Sequence, residues 1–160
     1  MDVKGDSAAV KKLCKAIDVE KVWAAPRLAR RRGVHVEITT LVIPTVNASE
    51  TTLRGIAERI ATGLGREVPW HVTAYFPAYR FTAPPTPIRT LEQAWQIGKE
   101  AGLEFVYVGN IASHHYEHTY CPTCGTVLIR RSGFDVIENI LRAGECPRCR
   151  QQIAGVWQSC

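Results

Sequence analysis

Two Cys-x-x-Cys pairs constrain this chain more than any other feature. Cys121-Pro122-Thr123-Cys124 and Cys146-Pro147-Arg148-Cys149 are separated by 21 residues. Each pair turns two thiolates toward one point, and four sulfurs complete a tetrahedral site for Zn²⁺. Gly125 follows the first pair, where a tight knuckle needs backbone freedom. Pro122 and Pro147 fix φ inside each turn and remove a donor. The other readings are plain reduced thiols or two disulfides. The paired spacing favours one metal site, and the ribbon-like gap favours zinc over an iron–sulfur cluster. Four cysteines fill the coordination shell and leave no water to activate, so the site is expected to be structural. Cys14 and Cys160 have no assigned partner and are expected in packing and at the terminus.

With 160 residues the chain can bury one real core, or a smaller core beside a metal-stapled module. No apolar run is long enough to span a bilayer, and the first twenty residues, rich in Lys and Asp, are not a signal peptide. A cytoplasmic location with no membrane partner is the expectation, and paired knuckles in a reducing compartment agree with it. The net charge of +5 lies wholly in residues 1–33, with nine Lys/Arg against four Asp/Glu. Residues 117–160 carry five against four, and a zinc–tetrathiolate centre adds about −2 there. A nucleic-acid-binding ribbon would concentrate positive charge on itself, so nucleic acid is not an expected partner. Arg27–Arg32 reads instead as a solvated helix end.

Along the chain, Asp2-Val3-Lys4-Gly5-Asp6 reads as the tail of a strand and a turn, entered partway through a fold. Residues 7–32 are expected to be helical, capped by Ser7 or Asp18, with Pro26 kinking or dividing the helix. Residues 34–43 read as a β-branched strand buried on both sides at its later end. Leu53, Ile56, Ala57, Ile60, Ala61 and Leu64 fall on one helical face after a cap at Asn47 or Ser49. Trp70–Phe76 is the next strand, followed by a proline-rich loop. Thr90-x-x-Gln93 forms the pattern of a capping box, and Leu103–Val108 reads as a third strand. Strand–helix–strand–helix–strand order predicts parallel βαβ units.

In this order, Asp2-Val3-Lys4-Gly5, Val36–Pro44, Pro69-Trp70-His71-Val72-Thr73, Pro85-Thr86-Pro87, Tyr107-Val108-Gly109-Asn110 and Thr119–Gly125 resemble a known family. They are similar to the C-terminal half of the radical S-adenosylmethionine (SAM) enzymes of the AmmeMemoRadiSam system, relatives of the pyruvate formate-lyase activating enzymes. The resemblance implies an α/β fold: residues 1–112 as the C-terminal half of a partial (β/α) barrel with parallel strands, and residues 113–160 as a zinc ribbon. It also implies a [4Fe–4S] cluster and SAM, which the cofactors cleave to a 5′-deoxyadenosyl radical while the protein positions them. By the same resemblance Asp2, Val3 and Lys4 lie against SAM, and no residue of this chain is assigned a catalytic role.

Departures from the family pattern carry as much information. No CxxxCxxC triple occurs, and the Gly-Gly-Glu stretch is missing. Ala74 and Phe76 stand where relatives carry Arg and then His or Tyr, so Phe76 replaces a histidine that approaches SAM. Thr45 replaces the glycine that follows Ile-Pro. The expectation is therefore a chain of a radical SAM family that binds no cluster alone and is inactive alone. A half-barrel has open sheet edges, so its expected partner is a complementary N-terminal half or a second copy. The alternative from another class is a non-catalytic zinc-ribbon module for binding or scaffolding. His114, His115 and His118 precede the ribbon and read as a polar loop rather than metal ligands, and His71 reads as a hydrogen-bonded core or rim histidine.

Overall fold

A computed structural model describes residues 1–15, 18–111 and 115–157. Three parallel strands, β1 (Ile38–Val42), β2 (Trp70–Ala74) and β3 (Val106–Gly109), lie side by side in sequence order. Helices α3 (Glu50–Gly63) and α4 (Ile88–Glu100) make the two crossovers. Two further helices, α1 (Ser7–Cys14) and α2 (Val19–Arg31), precede the sheet. The expected βαβ order is therefore present. A second sheet is antiparallel, ordered β4 (Thr119–Tyr120), β5 (Val127–Ser132), β6 (Asp135–Asn139), after a short 3₁₀ turn at His115–Glu117. The expected boundary between 112 and 113 falls on residues outside those described, as do His114 and Cys160.

One face of the parallel sheet carries the core. Ile38, Thr40 and Val42 of β1 and Trp70, Val72 and Ala74 of β2 are fully buried, and they pack with Leu53, Ile60 and Leu91 of the helices. Each buried Leu or Ile contributes roughly 1.5–3 kcal/mol relative to exposure. Two polar groups join this core at no unpaired cost, because the Trp70 indole N–H donates to Thr40 Oγ1 at 3.0 Å. The later end of β1 is expected to be buried on both sides: consecutive Val42 and Ile43 are both buried, while Leu41 and, before it, Thr39 are half-exposed on the face opposite the core. Among the described residues no α-helix packs on that face, and its His71, Thr73 and Tyr107 line a groove.

The start of the chain extends the sheet. Val3 N donates to Thr39 O at 2.8 Å and Thr39 N to Met1 O at 2.8 Å, with Asp2 paired parallel to Thr39. Asn47 then locks the strand ends: its amide donates to Lys4 O and Leu41 O and its oxygen accepts from Ile43 N. Gly5 sits at φ +131, and a Cβ there would lie 2.9 Å from Thr52 Cγ2, so this turn excludes other residues.

Several local expectations are corrected. Asp6, not Ser7, caps α1 by accepting from Ala9 N at 2.9 Å, while Asp18 caps α2 and Ser49 caps α3. Pro26 does not divide α2, which runs unbroken from Val19 to Arg31 with the ring buried. Burial of that ring against the core offsets the lost helical bond. The Thr90–Gln93 capping box does not form, because α4 already begins at Ile88 after Pro87, whose φ of −64 suits that position. Thr86 instead stitches the ends of β1 and β2, its hydroxyl donating to Val42 O at 2.6 Å and accepting from Tyr75 N at 2.8 Å. No helix among the described residues is long and apolar enough to cross a membrane.

Candidate functional site

Both knuckles are built by the same backbone device. Cys121 N donates to Thr126 O at 2.8 Å and Gly125 N to Cys121 O at 2.9 Å. In the second, Cys146 N donates to Gln151 O and Arg150 N to Cys146 O, each at 2.9 Å. The residue after each second cysteine is left-handed: Gly125 at φ +69 and Arg150 at φ +61. Cys121 and Cys146 are buried in a small core with Leu128, Ile129, Ile153 and, from the parallel sheet, Phe105.

The four sulfurs lie within 4.8 Å of one another, with Cys121 and Cys149 at 3.5 Å and Cys124 and Cys146 at 3.7 Å. Tetrahedral zinc with Zn–S near 2.3 Å requires S···S edges of about 3.8 Å, whereas a disulfide requires about 2.05 Å. The geometry thus fits a four-sulfur metal site and no disulfide. Electrostatics agree. Cys124 is pulled down to about 6, chiefly by the Thr126 hydroxyl and then its backbone. Cys149 goes up to about 12: the Gln151 backbone lowers it, but desolvation and the neighbouring thiols outweigh that. Four thiols this close cannot all ionise without a cation to neutralise them. Among the described residues no other group of His, Cys, Asp and Glu side chains converges in this way. His115 lies in the 3₁₀ turn, and His118 Nδ1 accepts from Arg131 N at 3.3 Å, so neither joins the sulfurs.

A second feature, not expected from sequence, is an open groove of about 1160 Å³ between the uncovered sheet face and the ribbon. Its floor follows strand register, with His71 beside Tyr107 and Thr73 beside Gly109. His71 stacks on Tyr107, ring centroids 5.1 Å apart at 26°. His71 Nε2 lies 2.9 Å from Glu37 Oε2, and His35 Nε2 lies 3.0 Å from Glu37 Oε1. The bond from His71 and, against desolvation, that from His35 hold the Glu37 carboxyl down at about 2. On the ribbon side, Thr119 Oγ1 bonds Tyr107 Oη at 2.9 Å and accepts from Arg131 Nη1 at 2.8 Å. Arg131 also sits over the Tyr107 ring at 5.5 Å, and burial pushes the Tyr107 hydroxyl upward. Phe76, Phe134 and Trp157 form apolar walls.

No family model matches the chain. It is 40% identical over 156 residues to the uncharacterized protein MJ0808 of Methanocaldococcus jannaschii, an alignment covering 96% of this chain and 46% of that protein. The chain therefore spans about half the length of the curated relative that it matches. Among solved structures it is similar to a domain of a pyruvate-formate lyase-activating enzyme from Bacteroides vulgatus, with a TM-score of 0.56 and 21% identity, over 68% of this chain and 65% of that one. The likeness is one of fold.

Val3 is fully buried on the helix side, so Asp2 and Lys4 stand on the opposite sheet face with His71 and Tyr107. They pair with each other, Lys4 Nζ to Asp2 Oδ2 at 2.5 Å, and neither lines the groove. Phe76 does line it, 53% exposed at the C-terminal end of the sheet. Of the floor residues, His71 and Tyr107 both fall within motifs visible in the sequence. The alternation of Val34, His35, Val36 and Glu37 places His35 and Glu37 on one strand face, but only register brings them to His71, and only the ribbon's docking brings Arg131 and Thr119.

Proposed function

We propose that this chain is the sheet-and-ribbon portion of a radical SAM protein of the AmmeMemoRadiSam kind, inactive by itself, with residues 113–160 forming a structural zinc ribbon. The observation that supports this most is the parallel sheet of activating-enzyme fold, with Asp2-Val3-Lys4 hydrogen-bonded in register at its edge. When bound, SAM supplies a 5′-deoxyadenosyl radical through a reduced cluster. The residues of this chain that fit SAM are Asp2 and Lys4, whose carboxylate and ammonium stand on the inner face and offer one charge of each sign to a zwitterionic ligand. Val3 orients them by burying its own side chain.

The cluster itself does not fit. The four ribbon cysteines already form a closed set, and the 160 residues contain no CxxxCxxC triple. A site for [4Fe–4S] must come from elsewhere: a complementary N-terminal half, in the same polypeptide or a separate one. Residues 1–3 use one strand edge against β1, and their outer edge is where such a half would add its own strand. The test is anaerobic reconstitution of the zinc-loaded chain with iron and sulfide in the presence of SAM. No stable [4Fe–4S] absorption and intact SAM are expected. A stable cluster with SAM cleavage by this chain alone overturns the reading.

A further inference from the structure

We propose that the groove between the sheet and the ribbon binds a small apolar monocarboxylate, with Arg131 as its anchor. This inference does not rest on the radical SAM reading. Arg131 lines the groove from β5 and is half-buried there. Its side-chain hydrogen bonds, to Glu117 O at 3.1 Å and to Thr119 Oγ1 at 2.8 Å, both leave from Nη1. Both acceptors are neutral, as is the Tyr107 ring beneath the guanidinium. The preceding Arg130 pairs with Glu138 at 3.5 Å, whereas Arg131 forms no ion pair among the described residues. With both Nη1 protons used, the Nε–Nη2 edge remains, and that edge takes a carboxylate through two parallel bonds. A half-buried cation without a counter-ion favours binding one.

The strand itself is irregular at this point. Arg130 pairs with Glu138 and Arg131 with Val136, so Ile137 is the extra residue of a bulge. Bulges of this kind re-aim side chains beside binding sites. The rest of the groove sets the character of the ligand. Phe76, Ile129 and Trp157 give it apolar walls, and among the described residues no Lys lines it. Two carboxylates do line it, Glu37 and Glu117. Glu37 is held by His35 and His71, and Glu117 Oε2 accepts from Gly133 N at 2.9 Å. With the histidines neutral, the groove carries a formal charge of about −1. A monoanion seated on Arg131 is tolerated there, while a phosphate dianion meets repulsion from both carboxylates. Apolar walls and one fixed guanidinium therefore select a carboxylate on an apolar body.

The test uses the full chain with its ribbon saturated with Zn²⁺, and 2-naphthoate as the probe in isothermal titration calorimetry. One saturable equivalent is expected. The uncharged 2-naphthamide and the dianionic 2-naphthyl phosphate should each bind about tenfold more weakly or worse. Arg131→Gln should weaken 2-naphthoate by roughly 10- to 100-fold, as loss of a charged hydrogen-bonding partner does. Because Arg131 also braces Thr119, ribbon zinc and circular dichroism are measured on the same variant. Glu37→Gln leaves Arg131 in place and decides the matter if Arg131→Gln fails to fold. Removing that negative charge should tighten 2-naphthoate about threefold and leave 2-naphthamide unchanged. No saturable binding, equal or tighter binding of the amide or the phosphate, or unaltered 2-naphthoate affinity in a folded Arg131→Gln or in Glu37→Gln would each overturn the proposal.

Discussion

Tyr107 Oη lies 2.9 Å from Thr119 Oγ1, joining the last parallel strand to the first strand of the ribbon. Arg131 braces the same threonine from β5. Because Thr119 is two residues before Cys121, whatever fixes the knuckle also fixes the ribbon wall of the groove. Tyr107→Phe removes one hydrogen bond at a largely buried hydroxyl and should cost about 0.5–1.5 kcal/mol. Urea denaturation followed by circular dichroism measures it, and an unchanged midpoint would show that the clasp is not a stabilising contact.

Purified protein should hold one zinc per chain, by elemental analysis. Structural zinc in comparable peptides contributes about 10–16 kcal/mol of apparent binding energy, more than a ribbon of this size gains from its small core. Cys121→Ser should therefore lose the metal and unfold the ribbon. The fluorescence of Trp157, which packs on that core and donates to Ile153 O at 2.8 Å, reports the loss.

Thr45 occupies φ +67, a left-handed conformation that a β-branched residue rarely adopts. The strain is about 1–2 kcal/mol, while glycine adds roughly 0.4–1 kcal/mol of unfolded-state entropy. Thr45→Gly should consequently stabilise the protein, by up to about 1 kcal/mol, in thermal or urea unfolding. Destabilisation would mean that the threonine side chain makes a compensating contact.

Gly98 tests the packing of α4 on the sheet. A Cβ there would lie 2.8 Å from Val106 Cγ2 and 3.0 Å from Trp70 Cε3. Alanine gains about 1 kcal/mol of helix propensity, but overpacking against a fully buried indole costs about 1–3 kcal/mol. Gly98→Ala should be neutral to destabilising by about 2 kcal/mol, where the same change at Gly55, with open space around it, should stabilise.

Glu37 gives the stability a pH dependence. Its folded value near 2 lies below an unfolded value of about 4.3, so its contribution is complete above the unfolded value and is lost as the pH falls toward 2. At 46% exposure, solvent screening limits it to about 1 kcal/mol or less. Glu37→Gln should flatten that part of the acid limb in urea midpoints measured across the range.

Local chemistry makes much of this fold legible in the sequence. The convergence of the four cysteines follows from spacing, the parallel strands from βαβ order, and the Leu53–Leu64 face from helical periodicity. Thr45 is visible there only as a missing glycine, and its φ supplies the reason. What the sequence hides is long-range. Thr86 is visible only as part of a Pro-Thr-Pro motif in a proline-rich loop, and nothing local shows that its hydroxyl bridges the ends of β1 and β2. The groove floor depends on register among three strands and on a ribbon folding back under them. Pro26 departs from the local rule because burial of its ring overrides it.

The central claim is that this chain supplies a sheet and a ribbon to a SAM-binding barrel whose cluster lies in another segment. The direct measurement is SAM retention by equilibrium dialysis, for this chain, for the half of the Methanocaldococcus jannaschii relative that it does not span, and for the two co-purified. The account predicts that the two associate and that SAM is retained by the pair far more strongly than by either half, with the affinity lowered by Asp2→Asn. Failure to associate, or equal SAM retention by one half alone, would contradict it and favour a non-catalytic zinc-ribbon module.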